Sequence, residues 1–200
     1  VRIVLATHNQ GKVREIAHLM EGLPVTWLSA AEFRDLPKPV ESGETLEENA
    51  LIKARSITEV LHLPAMSEDS GLFVDALGGQ PGVHSARFAG PGCLDHDNIQ
   101  KLLRDMQGKP VSERGAAFKT VVAILFPGEE AVYLSGEVRG TITENPKGSG
   151  GFGYDPVFLP EGYDRVFAEM TLEEKNAISH RARAMEKVRE WLGRRLAKKS

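Results

Sequence analysis

Two adjacent carboxylates, Glu68 and Asp69, stand in the stretch SEDSG at 67–71, after apolar LPAM and before Ser70-Gly71. Carboxylates at a strand end, beside a glycine that permits a sharp turn, suit Mg²⁺, which takes oxygen ligands and keeps several waters. A polar hairpin turn is the competing reading of the same five residues. Glu41, in ESGE, can bring a third carboxylate from the loop ahead of a long helix. Glu44, Glu47 and Glu48 read more simply as charges favourable to that helix's dipole.

Anion chemistry is suggested by LATHNQGKVREI at 5–16, which reads as strand, loop, helix. Backbone N–H groups at a helix start favour anions. Thr7 and Asn9 add side-chain donors, and Lys12 adds a mobile cation. The stretch lacks the spacing G-x-x-x-x-G-K-[ST]: it has one glycine, and Val13 follows the lysine. That leaves a simple helix cap with a solvated lysine, or a phosphate site of another kind.

The segment NPKGSGGFGYDP at 145–156 packs Gly148, Gly150, Gly151 and Gly153 around Phe152. Glycine permits positive φ and close approach of a ligand to the backbone. An aromatic ring in such a loop can stack on a base; otherwise it buries itself in the core. Asp155 before Pro156 ends the loop with a fixed turn. Further on, EEKNAISHR at 173–181 supplies Lys175, Ser179, His180 and Arg181. In an unbroken helix, at about 100° per residue, Lys175 and Arg181 project roughly 120° apart. Either they do not share a ligand or the helix breaks near Ser179.

These residues need elements to hold them. Residues 2–6 read as a short strand, 10–21 as a helix with Val13, Ile16, Ala17 and Met20 at helical spacing, and VTWL (25–28) as a second strand. Residues 29–44 read as loop. Thr45-Leu46-Glu47-Glu48 is a capping-box pattern opening a helix to about residue 62. PAMSEDSGLFVDAL (64–77) reads as strand, break, strand, and LDHDNIQKLLRDM (94–106) as helix. AAFKTVVAILF (116–126) and AVYLSGEVRGTI (131–142) read as a long antiparallel pair turning at PGEE. Thr171-Leu172-Glu173-Glu174 repeats the capping pattern before a helical tail reaching Leu196. Helices alternate with strands early and hairpin strands come late, so the expected class is mixed α/β.

Two hundred residues can bury a sizeable core, and no composition shift marks a domain boundary, so a single domain over 1–200 is expected. A net charge of −3 gives no global reason to bind nucleic acid. The single cysteine, Cys93, excludes an intrachain disulfide. No apolar run is long enough to span a membrane, and VRIVLA carries no signal-peptide pattern, so the expected location is cytoplasmic.

Taken in order, Thr7-His8-Asn9 with Lys12, Glu41 through ETLEENALIKA, SEDSGLFVDALGGQPGVHSARFAG, GSGGFGYDPVF and EEKNAISHR resemble the inosine triphosphate pyrophosphatase, or HAM1, family, in its bacterial dITP/XTP branch. The resemblance runs from about Ile3 to Trp191. It implies an elongated mixed sheet with flanking helices, forming two lobes around a central cleft. It also implies Mg²⁺-dependent hydrolysis of dITP, ITP or XTP to the monophosphate and pyrophosphate, by a homodimer with no nucleic-acid or membrane partner.

By the same resemblance, Thr7, His8, Asn9, Gln10, Gly11 and Lys12 match a triphosphate loop, which resolves the opening stretch as a phosphate site without a P-loop. Asp69 matches a general base and metal residue, with Ser70 an adjacent substrate contact. Phe152, Gly153, Tyr154 and Asp155 match the substrate-contacting glycine loop. Lys175, His180 and Arg181 match further substrate contacts, the last two at the base. Glu41 matches an acidic residue near the metal. Glu68 stands where many members carry aspartate, so it reaches the metal directly or through water. Two readings compete: a pyrophosphatase for other modified bases, and a nucleotide-binding module without turnover.

Overall fold

The computed structural model describes residues 1–7 and 10–197, the side chains of 10–12, 14 and 15 excepted. Among them lie seven strands in one sheet: β1 (Arg2–Leu5), β2 (Thr26–Ser29), β3 (Ala65–Val74), β4 (Pro81–Gly82), β5 (Gly115–Leu125), β6 (Val132–Ile142) and β7 (Phe158–Pro160). The helices are α1 (Gln10–Leu19), α2 (Leu46–Leu61), α3 (Asp95–Asp105), α4 (Leu172–Ile178) and α5 (His180–Ala197). The strand order is β2-β1-β3-β5-β6-β7, with β4 on β3. β1 runs parallel to β2 and β3, whereas β4 and β7 are antiparallel to their partners. The chain is thus mixed α/β, as its alternation of helices and strands predicts.

The chain divides into two compact units. One comprises 1–69, 120–136 and 183–200, the other 70–119 and 137–182. In the first unit the strands are apolar on both faces. Ile3, Leu5, Met66, Val122 and Ile124 join α1 and α5 in one core, through Ile16, Met20, Ala184, Met185, Val188 and Leu192. The alternate residues Val4, Ala65, Ala123 and Leu125 pack on α2 through Ala50, Ala54 and Ile57. This period of two explains why IVLA at 3–6 reads as an unbroken apolar run: both its faces are covered. In the second unit, Leu72, Val74, Phe118, Val138, Ile142 and Phe158 form one core with Ile99 and Leu102 of α3 and with Met106 at its C-terminal end.

Arg114, 3% exposed, ties this second core together. Its guanidinium donates to the carbonyls of Ile142 (2.6 Å), Thr143 (2.9 Å) and Met106 (3.0 Å).

Two expectations need correction. β3 is continuous through Ser70-Gly71, not strand, break, strand. The glycine serves close approach instead of a turn: a Cβ at Gly71 would overlap the Gly82 carbonyl on neighbouring β4. At the start of α2, Thr45 Oγ1 accepts from Glu48 N–H at 3.1 Å, but Glu48 returns to the N–H of Glu44, not of Thr45. The box is therefore displaced by one residue. At α4 the reciprocal box between Thr171 and Glu174 is complete.

Candidate active site

Lys53 is the centre of the first constellation. Its ammonium donates to Asp69 Oδ1 at 2.7 Å and lies 3.5 Å from Glu41 Oε1. The geometry follows from the register. Ala65 packs toward α2, and side chains alternate along β3, so Ser67 and Asp69 face α2 as well. Ser67 Oγ donates to the Ala50 carbonyl, which fixes the spacing of strand and helix. Lys53 extends from α2 with 14% of its side chain exposed, Asp69 with 12% and Glu41 with 38%.

Burial pushes the Asp69 carboxyl above the usual range. The Lys53 ammonium opposes that shift without cancelling it, and the nearby Glu41 charge adds to it. Asn49, fully buried, has its Oδ1 held by Gly43 N–H at 2.8 Å. Its amide nitrogen approaches Asp69 without completing a hydrogen bond within normal limits, and it weakly favours the carboxylate.

Beside this cluster lies a cavity of about 300 Å³. Its walls come from Leu5 at the end of β1 with Ala6 and Thr7 beyond it, from Met66, Ser67 and Glu68 of β3, from Lys53 and Ile57 of α2, and from loop residues 36–39 and 41. The chain leaves β1 for β2 on one side and returns through α2 to β3 on the other. The cavity thus sits past the carboxyl end of β1, at the point where the strand order reverses, which is where open α/β sheets bind ligands.

The structure places Thr7 and Glu41 at this cavity, and Glu41 with Asp69 on one cation. Glu68 also lines the cavity, but it leaves β3 on the face opposite Asp69, as does Ser70. The two adjacent carboxylates are therefore not a pair; Glu41 is the partner that meets Asp69 through Lys53. His8 and Asn9 lie outside the described residues. Gln10, Gly11 and Lys12 open α1, and their side chains lie outside the described set. Among the described residues, no three His, Cys, Asp or Glu side chains form a metal-holding group.

The second constellation lies wholly in the second unit. Phe152 is 56% exposed, so the ring is not a core residue. Lys175 Nζ lies 4.4 Å from its ring centroid and the Arg181 guanidinium 5.5 Å. Lys175 is buried and donates to Asp155 Oδ2 at 2.5 Å. The same carboxylate oxygen accepts from Phe152 N–H at 2.9 Å. Gly151 is required here. Its φ is +72°, and a Cβ would overlap the Asp155 carboxylate.

Tyr154, also buried, donates its hydroxyl to the Ser85 carbonyl at 2.8 Å, and burial pushes its ionisation up. The His180 ring is buried face to face with Phe118, 4.9 Å between centroids. Helix α4 ends at Ile178 and α5 begins at His180, with Ser179 extended between them (φ −66°, ψ 153°). That is the break which the Lys175–Arg181 geometry requires if the two residues serve one site.

Lys53, Asn49 and Asp95, whose carboxylate accepts from Gly153 N–H at 2.6 Å, were not singled out in the sequence. For the first two a signal exists. At about 100° per residue, positions 49 and 53 fall on the stripe of Leu46, Ala50 and Ile57. A lysine and an asparagine on a buried stripe are unusual enough to mark a site.

A model of the Ham1 family matches residues 3–191. The dITP/XTP pyrophosphatase of Geobacter sulfurreducens is 48% identical over 192 residues, covering 96% of each chain. That of Thermoanaerobacter pseudethanolicus is 45% identical over the whole of both. Among solved structures, a HAM1 protein from Coxiella burnetii superposes with a TM-score of 0.92 at 38% identity, over 97% of this chain and 99% of that one. A nucleoside-triphosphatase / dITP/XTP pyrophosphatase from Mycobacterium abscessus gives 0.81 at 39% identity, over 94% and 97%. With its fold, its length and its sequence all matched from end to end, this chain belongs to the Ham1 family.

Proposed function

We propose that this chain hydrolyses non-standard purine nucleoside triphosphates (dITP, ITP and XTP) to the monophosphate and pyrophosphate. The observation that carries the reading is the Lys53–Asp69–Glu41 cluster beside a cavity at the reversal of strand order. Its full-length relatives carry the name dITP/XTP pyrophosphatase, which supports the choice of substrate.

The α-phosphorus is shielded by anionic oxygens. Lys53 and Lys12 supply positive charge against them, and Thr7, His8, Asn9, Gln10 and Gly11 supply the helix-start donors. Asp69 orients the attacking water or takes its proton. A carboxyl raised by burial is a better base near neutral pH than an ordinary aspartate.

Glu41 and Asp69, with Glu68 nearby, are the residues to hold Mg²⁺. All their donors are hard oxygens, and Mg²⁺ commonly takes one or two carboxylates and completes its shell with water and phosphate. When bound, it neutralises phosphate charge and stabilises the pyrophosphate leaving group.

In the second unit, Phe152 offers an exposed ring for stacking on the purine. Gly153, Tyr154 and Asp155 hold the loop, Lys175 anchors Asp155 beneath the ring, and Arg181 with His180 reads the base edge. A donor aimed at the C6 oxygen of hypoxanthine or xanthine would be left facing the amino group of adenine, which a buried donor discriminates strongly. One family model spans both compact units, which supports a single functional domain. No described helix is long and apolar enough to cross a membrane. The same reading includes a homodimer, checked by light scattering, and a cytoplasmic location, checked by fractionation.

The test is pyrophosphate release from ITP, XTP, GTP and modified pyrimidine triphosphates, with and without Mg²⁺. Preferred, metal-dependent turnover of ITP and XTP is expected. Preference for a modified pyrimidine, or saturable binding without pyrophosphate release, would overturn the reading.

A further inference from the structure

The Phe152 ring is more than half exposed, yet the peptide on each side of it is held. Phe152 N–H donates to Asp155. Gly153 N–H donates at 2.6 Å to Asp95, 58 residues away at the first turn of α3. Asp95 is itself fixed from below. One turn along α3, the buried Asn98 accepts from Ala89 N–H at 2.8 Å and donates to the Ala86 carbonyl at 3.3 Å. Next to Ala86, the Ser85 carbonyl takes the Tyr154 hydroxyl, and Ser85 Oγ bonds Gly82 O and Leu72 N–H. The bonds close a circuit: Gly153 to Asp95, along α3 to Asn98, across to Ala86 and Ser85, and back through Tyr154 to the loop.

Asp155, buried and tied to Lys175 of α4, holds only the peptide that enters Phe152, and the peptide that leaves it needs an anchor of its own. A loop holding four glycines between 148 and 153 has many conformations to lose. Tyr154 anchors it from the buried side, and Asp95 is the anchor at the exposed side, where the ring stands.

We infer that Asp95 is a positioning residue for base binding: its carboxylate pins the Gly153 peptide and thereby holds the Phe152 ring ready to stack on the purine. The inference rests on the reading of Phe152 as the stacking ring. Asp95 itself does not contact the substrate. It acts only through the loop, so it sets affinity for the base and leaves phosphate chemistry alone.

The test uses the full chain with Asp95→Ala, Asp95→Asn, Phe152→Ala and the double variant Phe152→Ala/Asp95→Ala. Asp95→Ala is expected to weaken IMP binding and raise KM for ITP about ten-fold, the effect of one charge-assisted hydrogen bond. Pyrophosphate affinity and kcat should change less than about two-fold. Asp95→Asn keeps an acceptor oxygen but loses the charge at the helix start. It should therefore lose as much melting temperature as Asp95→Ala while keeping most of the base affinity, a split that a merely structural role would not give. In the Phe152→Ala background, Asp95→Ala should add less than about two-fold.

Unchanged IMP affinity in Asp95→Ala, while Phe152→Ala loses it, would overturn the inference and leave the stacking reading standing. A full additional loss in the double variant would also overturn it. If Phe152→Ala itself binds IMP normally, the stacking reading fails and the inference with it.

Discussion

Replacing Lys53 by Met removes one positive charge from between two carboxylates while keeping most of the aliphatic stem. At an effective dielectric of about 20, charges 2.7 Å apart, as Lys53 and Asp69 are, attract by roughly 6 kcal/mol. Desolvation of both groups offsets much of this, and removing one partner of a buried pair typically costs about 3–5 kcal/mol. Glu41, 38% exposed, keeps part of its hydration, so a loss near the lower end, about 3 kcal/mol, is expected at pH 8.

The sign of the pH dependence follows from Asp69. Its carboxyl already lies above the usual range by burial, and losing the ammonium raises it further. A proton then binds the folded form more tightly than the unfolded chain. The penalty is full above the folded pKa and vanishes below the unfolded value of about 3.9. Urea unfolding in EDTA should give a gap between wild type and Lys53→Met that is wide at pH 8 and narrower at pH 5. Equal stabilities at pH 8, or a gap that widens on acidification, would refute the argument.

Asp69→Asn should lower turnover of ITP by about 10²–10⁴-fold with the fold retained; a folded variant of near-normal activity would remove Asp69 from the reaction. Phe152→Ala should cost roughly 1–2 kcal/mol of stability, since the ring is a little under half buried, against about 3–5 for a core ring. It should cost about 1–3 kcal/mol of nucleotide binding, to a similar extent for ITP and GTP. Differential scanning calorimetry with KM measurements separates the two effects, and a large melting drop with unchanged KM would contradict both. Gly71→Ala forces a side chain against the Gly82 carbonyl and should destabilise by about 2–3 kcal/mol. A wild-type melting curve for that variant would mean that the β3–β4 contact is looser than described.

Much of this organisation is legible in the residues. The capping pattern at Thr171 opens a helix where it should, and the 120° argument places an interruption where Ser179 turns extended. What the sequence leaves open is tertiary. Gly71 looks like a turn because glycine serves turns and close approaches alike, and only the position of β4 distinguishes them. Glu68 and Asp69 look like a pair because adjacency in the chain hides the alternation of a strand. Lys53 was readable as a charge on a buried stripe, yet ENALIKA satisfies the helical pattern without it. Asp95 carries no such mark. Aspartate at a helix start has an ordinary explanation in the dipole, and its bond to Gly153 spans a separation that no local pattern encodes.

The Arg114 joint has a different character from the Lys53 cluster. The carbonyls around it are neutral, so its acceptors hold nothing to titrate. Asp69 is held above the usual range in the folded chain, so it binds its proton more tightly there than in the unfolded chain, and acid relieves an unfavourable buried charge between α2 and β3. The corner at Arg114 gains nothing from that titration. The molecule should therefore tighten unevenly on acidification: protection of α2 amides should rise as pH falls through the folded pKa of Asp69, while that of amides flanking Arg114 stays constant.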